Sequence, residues 1–137
     1  MKLRHPAALA SYRLPDCDLL LLPEHAEAFG RLARSRGWSV TSWGEAWEPG
    51  QALGGRWYLR AVRGPLQVDA TYECPFIDVA ASMASAEWVD GVAVCPEEGV
   101  WTLKVIKDRT AACGFAERFG LRIPEASLRR AAEHVQL

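Results

Sequence analysis

Paired metal-binding cysteines, an excess of charge of one sign and long hydrophobic runs are all missing from this chain. Its four cysteines, Cys17, Cys74, Cys95 and Cys113, form no C-x-x-C pair. That spacing argues against a zinc ribbon, and nothing else suggests a secreted disulfide framework, so reduced, mostly buried thiols are expected. The formal net charge is −1, which excludes the global basic field of a non-specific nucleic-acid binder. No run approaches the roughly eighteen uninterrupted apolar residues of a membrane span. Met1 to Ala10 lacks the apolar core of a signal peptide. These absences point to a cytoplasmic protein with no membrane partner. The three histidines, His5, His25 and His134, share no ligand spacing.

What is present is globular composition: 50% hydrophobic and 24% charged over 137 residues, enough for one domain with its own core. The expectation is a single domain over 1–137. Residues 17–22 form an apolar run bounded by Pro15 and Pro23, which reads as a strand. Pro23 then opens a helix to about Arg36, with Leu22, Ala26, Phe29 and Ala33 at helical spacing and Gly37 as its stop. Trp38 to Trp43 and Arg56 to Arg63 alternate as half-buried strands. Between them, residues 44–55 carry four glycines and a proline and read as a loop. Gly64-Pro65 marks a hairpin into the strand bearing Leu66-Gln67-Val68-Asp69-Ala70.

Further along, Pro75 to Ala86 reads as helix and Gly91 to Cys95 as a short strand. Glu97 to about Cys113 reads as one long helix, with Val100, Leu103, Ile106 and Thr110 on its apolar face. A last helix from Pro124 to Val135 carries Leu128, Ala131, Ala132 and Val135 as its stripe. This order predicts an α/β (α+β) fold, a small mixed β-sheet flanked by helices.

The chemistry concentrates in aspartates. Asp16 and Asp18 are two residues apart at a strand end, so both point to one face. Asp69 lies in a second apolar strand. Burying an unpaired carboxylate costs several kcal/mol, so three of them converging would suit a hard divalent cation, which takes oxygen ligands. The plain alternative is a turn at Pro15-Asp16, a local cap by Asp18, and an arginine partner for Asp69. Cys17, between the pair, is expected to face the opposite side and pack in the core. No neighbour there would lower its pKa, which argues against a nucleophilic role.

An Asp-x-Asp opening an apolar strand, then a helix, a hairpin and a third aspartate in a Val68-Asp69 strand resembles the nucleotidyltransferase superfamily, the fold shared with polymerase beta. The segment from Val92 to Lys104 is similar to the strand, turn and helix of minimal nucleotidyltransferase-like proteins, and the likeness spans roughly residues 12–112. It implies that Asp16, Asp18 and Asp69 are catalytic and hold two magnesium ions about 4 Å apart. It also implies that Arg13 and Lys104 contact the nucleotide. The substrate would be a nucleoside triphosphate, and the acceptor a hydroxyl of a small molecule, a protein or an RNA end. The family's phosphate-binding Gly-Gly or Gly-Ser element has no counterpart in residues 1–15, which contain no glycine. That departure supports the other reading, an inactive member of the fold that binds protein or nucleic acid.

Two further features stand beside this. Lys104, Lys107, Arg109 and Arg118 gather positive charge along the expected long helix, where a solvated face is the default. Among six tryptophans, Trp38, Trp43 and Trp57 read as core or edge residues. Trp43 and Trp47, beside the glycine-rich loop, could stack a base or bind a protein.

Overall fold

The computed structural model describes residues 1–44, 55–75 and 77–135. The expected loop over 44–55 and Trp47 therefore fall almost entirely outside the described residues. Contacts group the chain into two compact units, Arg13–Ala80 and a discontinuous one of Met1–Tyr12 with Ala81–Leu137. The architecture is mixed α+β, as the sequence predicts. No helix among the described residues is long and apolar enough to cross a membrane.

The Arg13–Ala80 unit is built on a four-stranded mixed sheet of order β1-β4-β3-β2. Its strands are β1 (Cys17–Leu20), β2 (Ser39–Gly44), β3 (Trp57–Arg63) and β4 (Leu66–Glu73). β1 runs parallel to β4, while β4, β3 and β2 are antiparallel neighbours. Gly64 has φ 57°, the left-handed conformation that a two-residue hairpin loop needs at its first position. That turn sets Arg63 opposite Leu66 and Arg60 opposite Asp69.

A short 3-10 turn at Pro23–His25 leads into α1 (Ala26–Ser35), which packs on β2 and β3. Its buried residues are Gly30 and Ala33, opposite the Leu59 and Ala61 side of the sheet. The helix ends in a paired cap: Gly37 N–H donates to Arg34 O at 3.0 Å and Trp38 N–H to Ala33 O at 3.1 Å. Gly37, at φ 78°, supplies the left-handed residue this motif requires.

Cys17 corrects one expectation: its thiol is exposed, as is that of Cys113, and Cys74 and Cys95 are only half-buried. The reason is topological. β1 is an edge strand, and α1 lies over β2 and β3, so the reverse side of β1 gains little cover from its own unit. Partial burial, with Asp18 and Asp16 beside it, pushes the Cys17 thiol up from its ordinary pKa. It is therefore mostly protonated and a poor nucleophile at neutral pH.

Downstream of β4, mostly in the second, discontinuous unit, three expectations change among the described residues. Helix between 75 and 86 is confined to α2 (Val79–Ala84), and Glu87–Val89 becomes strand β5, paired with β6 (Val92–Val94) through an Asp90-Gly91 turn. The expected long helix breaks at Asp108 into α3 (Glu97–Lys107) and α4 (Arg109–Arg118). Asp108 takes an extended backbone, and its Oδ1 accepts from Ala111 N–H at 2.9 Å. An aspartate competes well for this capping role and poorly for a helix interior. The break divides the four basic residues between two helices and leaves Thr110 exposed.

The buried face of α3 is Trp101, Thr102, Val105 and Ile106. It meets α5 (Glu125–Val135) through Ser127 and Ala131, while Ala132 is exposed. The missed residue is Ser127. It is fully buried because its hydroxyl donates to Glu98 O at 2.8 Å, the carbonyl that Thr102 also reaches. A satisfied hydroxyl tolerates burial.

Residues 1–12 are tied to this unit by Arg4, which bonds Glu87 and the Cys95 carbonyl, and by His5. Its Nε2 lies 2.7 Å from Glu97 Oε1, to which Trp101 Nε1–H also donates at 3.1 Å. Burial alone would raise the Glu97 pKa. The hydrogen bonds from His5 and Trp101, with the His5 and Arg4 charges, outweigh it and hold the pKa below 4.5. A carboxylate depressed in this way stabilises the fold fully above its unfolded pKa, and that contribution fades as pH falls through the folded value. Glu97→Gln should therefore lower the urea-unfolding free energy by about 1 kcal/mol near pH 7. The gap to the native chain should narrow as pH drops below the carboxylate range, and a gap constant from pH 7 to 3 would contradict the assignment.

Candidate metal centre

Strand alternation sends Asp18 on β1 and Asp69 on β4 to one face, because the parallel register pairs them directly. Asp16, just ahead of β1, lies two residues back on that same side. The outcome is the convergence the sequence predicts: one ligand oxygen from each of Asp16, Asp18 and Asp69 lies within 4.8 Å of the others. Among the described residues this is the cluster of three or more potential ligands that could hold an ion. Asp18 is exposed, Asp16 half-buried and Asp69 buried, at 3% exposure.

The structure also shows what the spacing left as an alternative. Arg60 stands opposite Asp69 on β3, and its Nε and Nη2 each donate to a different Asp69 oxygen at 2.8 Å. This fork-on-fork geometry is the strongest form of the pairing. The hydrogen bonds that Arg60 donates to Asp69 raise the Arg60 pKa further above its ordinary value, with the charges of Asp69 and Asp16 contributing. Gln67 Nε2 makes a long third contact to Asp69 Oδ2 at 3.4 Å. Arg60 was legible in principle. A two-residue loop at Gly64-Pro65 dictates that residues 60 and 69 face each other.

The fit to an ion follows from charge and spacing. Three carboxylates against one guanidinium leave a formal charge of about −2 on the cluster. Opposed oxygen ligands stand about 4.2 Å apart across Mg2+ and about 4.8 Å apart across Ca2+. Only one pair among three ligands can be opposed, and adjacent ones stand about 3 Å apart, so the three side chains would have to draw together around a hard divalent ion. A carboxylate has roughly four lone-pair sites, so Asp69 retains acceptor capacity beside Arg60. With Asp69 so engaged, the donor set suits one ion better than two.

The remaining expected site residues are placed differently. Arg13 is exposed in the segment before β1. Lys104 belongs to the other unit, where its ammonium lies 5.0 Å from the Phe115 ring centroid. Beyond Arg60 the same face of the sheet continues onto β2. Thr41 on β2 faces Arg60, and the Arg60 guanidinium carbon lies 5.7 Å from the Trp43 ring and 5.5 Å from the Tyr58 ring.

Removing Arg60 would leave the buried Asp69 carboxylate without its main partner. Arg60→Met should cost about 2–4 kcal/mol in denaturant unfolding and tighten Mn2+ binding measured by electron paramagnetic resonance, because a competing cation is gone. Unchanged stability and unchanged Mn2+ affinity would show that the pair matters neither to fold nor to site. In comparisons with protein-family models, curated proteins and solved structures, nothing matches the chain.

Proposed function

We propose that this protein is a divalent-cation-dependent nucleotidyltransferase that moves a nucleotidyl group from a nucleoside triphosphate to an acceptor hydroxyl. The observation that carries the reading is the convergence of Asp16, Asp18 and Asp69 on one sheet face, two of them open to solvent or partly so. The resemblance in element order supports it.

Asp16 and Asp18 would hold the ion, with Asp69 as a third, rigidly oriented ligand. Bound there, Mg2+ would neutralise triphosphate oxygens and the charge that grows on the departing pyrophosphate. Overall, the acceptor oxygen bonds to the α-phosphorus, the bond to the bridging β-phosphate oxygen breaks, and pyrophosphate leaves. The acceptor's proton needs a carboxylate to receive it. Asp69 is buried and both its oxygens already accept from Arg60. Asp18, the exposed member of the cluster, is more open to the acceptor than Asp69.

The Arg60 clamp and the glycine-free stretch ahead of Asp16 favour a second reading, in which the fold binds a protein or nucleic acid without catalysis. One experiment separates the two. Native protein and an Asp16→Asn, Asp18→Asn double variant are titrated with Mn2+ and incubated with labelled triphosphates and Mg2+. The first reading expects the variant to lose at least tenfold in Mn2+ affinity and all nucleotide transfer, including self-labelling. Equal Mn2+ binding by both proteins would overturn it.

A further inference from the structure

The polar face of the sheet does not end at the aspartates. Arg60 bonds Asp69 along one edge of its guanidinium and lies near both the Trp43 and Tyr58 rings. Arg56 in turn stands 4.2 Å from the centroid of the Tyr58 ring. Trp43 and Tyr58 are direct cross-strand partners, so the two rings and two guanidinium groups form a ladder over β2 and β3. The Trp43 indole is oriented by its own N–H, which donates to Thr41 Oγ1 at 3.0 Å. Even so, half of Trp43 remains exposed (50%).

A half-exposed, oriented indole beside the Arg60 guanidinium, with Arg56 against the neighbouring Tyr58 ring, has a definite chemical preference. It offers a π-face for a flat aromatic ring, and the neighbouring guanidinium groups attract the anionic group attached to that ring. From the β1 aspartates to β2 the sheet spans three strand spacings, about 14 Å, comparable to an extended nucleoside triphosphate. We infer that Trp43 is the nucleobase platform of this protein: the base stacks on its indole while the triphosphate extends over Arg60 toward Asp16 and Asp18. This rests on the proposed function for the polyphosphate end, whereas the platform stands on the aromatic ladder. Stacking on an indole carries no hydrogen-bond code, so discrimination among bases follows overlap area, with purines above pyrimidines.

The test compares Mg2+-ATP with Mg2+-tripolyphosphate, which lacks the base, by calorimetry, and adds Mn2+ binding as a metal-only readout. The proteins are native, Trp43→Leu and Trp43→Phe, each checked for folding by circular dichroism. Native protein should bind ATP at least tenfold more tightly than tripolyphosphate. Trp43→Leu should abolish that preference and Trp43→Phe retain most of it, with Mn2+ and tripolyphosphate affinities unchanged in all three. A native protein that binds both phosphates equally, or a Trp43→Leu variant that keeps the ATP preference, would overturn the platform and leave the metal reading intact. Failure of native protein to bind Mn2+ or tripolyphosphate would instead refute the proposed function. In that case ATP binding lost in Trp43→Leu would still support the platform, and its absence would refute both.

Discussion

The bidentate pair between Arg60 and Asp69 is the constraint on which the Arg13–Ala80 sheet depends. It joins the two central strands, and it resolves the cost of a carboxylate that is only 3% exposed. Both edge strands take their register relative to it, with Asp18 beside Asp69 on one side and Thr41 beside Arg60 on the other. The pair also protects register. A one-residue slip of β4 would turn Asp69 to the side occupied by Leu59, Ala61 and α1, away from Arg60. Side-chain alternation thus converts one ion pair into a strong penalty against mispairing.

The same arginine shapes the chemistry. It lowers the cluster's formal charge from −3 to about −2, and in the proposed reaction it would keep Asp69 from acting as a mobile base. It also connects the acidic end of the face to its aromatic end. The second unit uses buried polar groups differently. Its Glu98 carbonyl collects two hydroxyls, and its Glu97 carboxylate gathers His5 and Trp101. Those contacts fasten helices and the first residues of the chain rather than opening a site.

Much of the sheet was legible because its signals are local. Alternation around Trp43 and Leu59, the Gly37 stop and the Gly64-Pro65 turn each act within a few residues. The aspartate convergence followed from alternation plus one long-range assumption, that the Asp16-Cys17-Asp18 strand neighbours the Asp69 strand. What failed depended on competition or on cover. Apolar periodicity runs through Asp108, yet capping by that side chain outweighs continuity of the helix. Cys17 alternates as a core residue, yet an edge strand outside the footprint of α1 leaves it exposed. Ser127 has no apolar signature, and its burial depends on a carbonyl 29 residues away. The Arg60 clamp needed only the hairpin register, which the turn already implied.

The discontinuity of the second unit has a consequence for the order of events on the ribosome. The Arg13–Ala80 unit contains all its own strands and can close once that stretch has emerged. Residues 1–12 cannot do the same, because the partners of Arg4 and His5 lie 83 to 92 residues downstream. At translation rates of about 5–20 residues per second, that separation is a wait on the order of ten seconds. Throughout it Leu9, later fully buried, would be held out of its core. A segment made well before its partners is therefore satisfied only after they emerge.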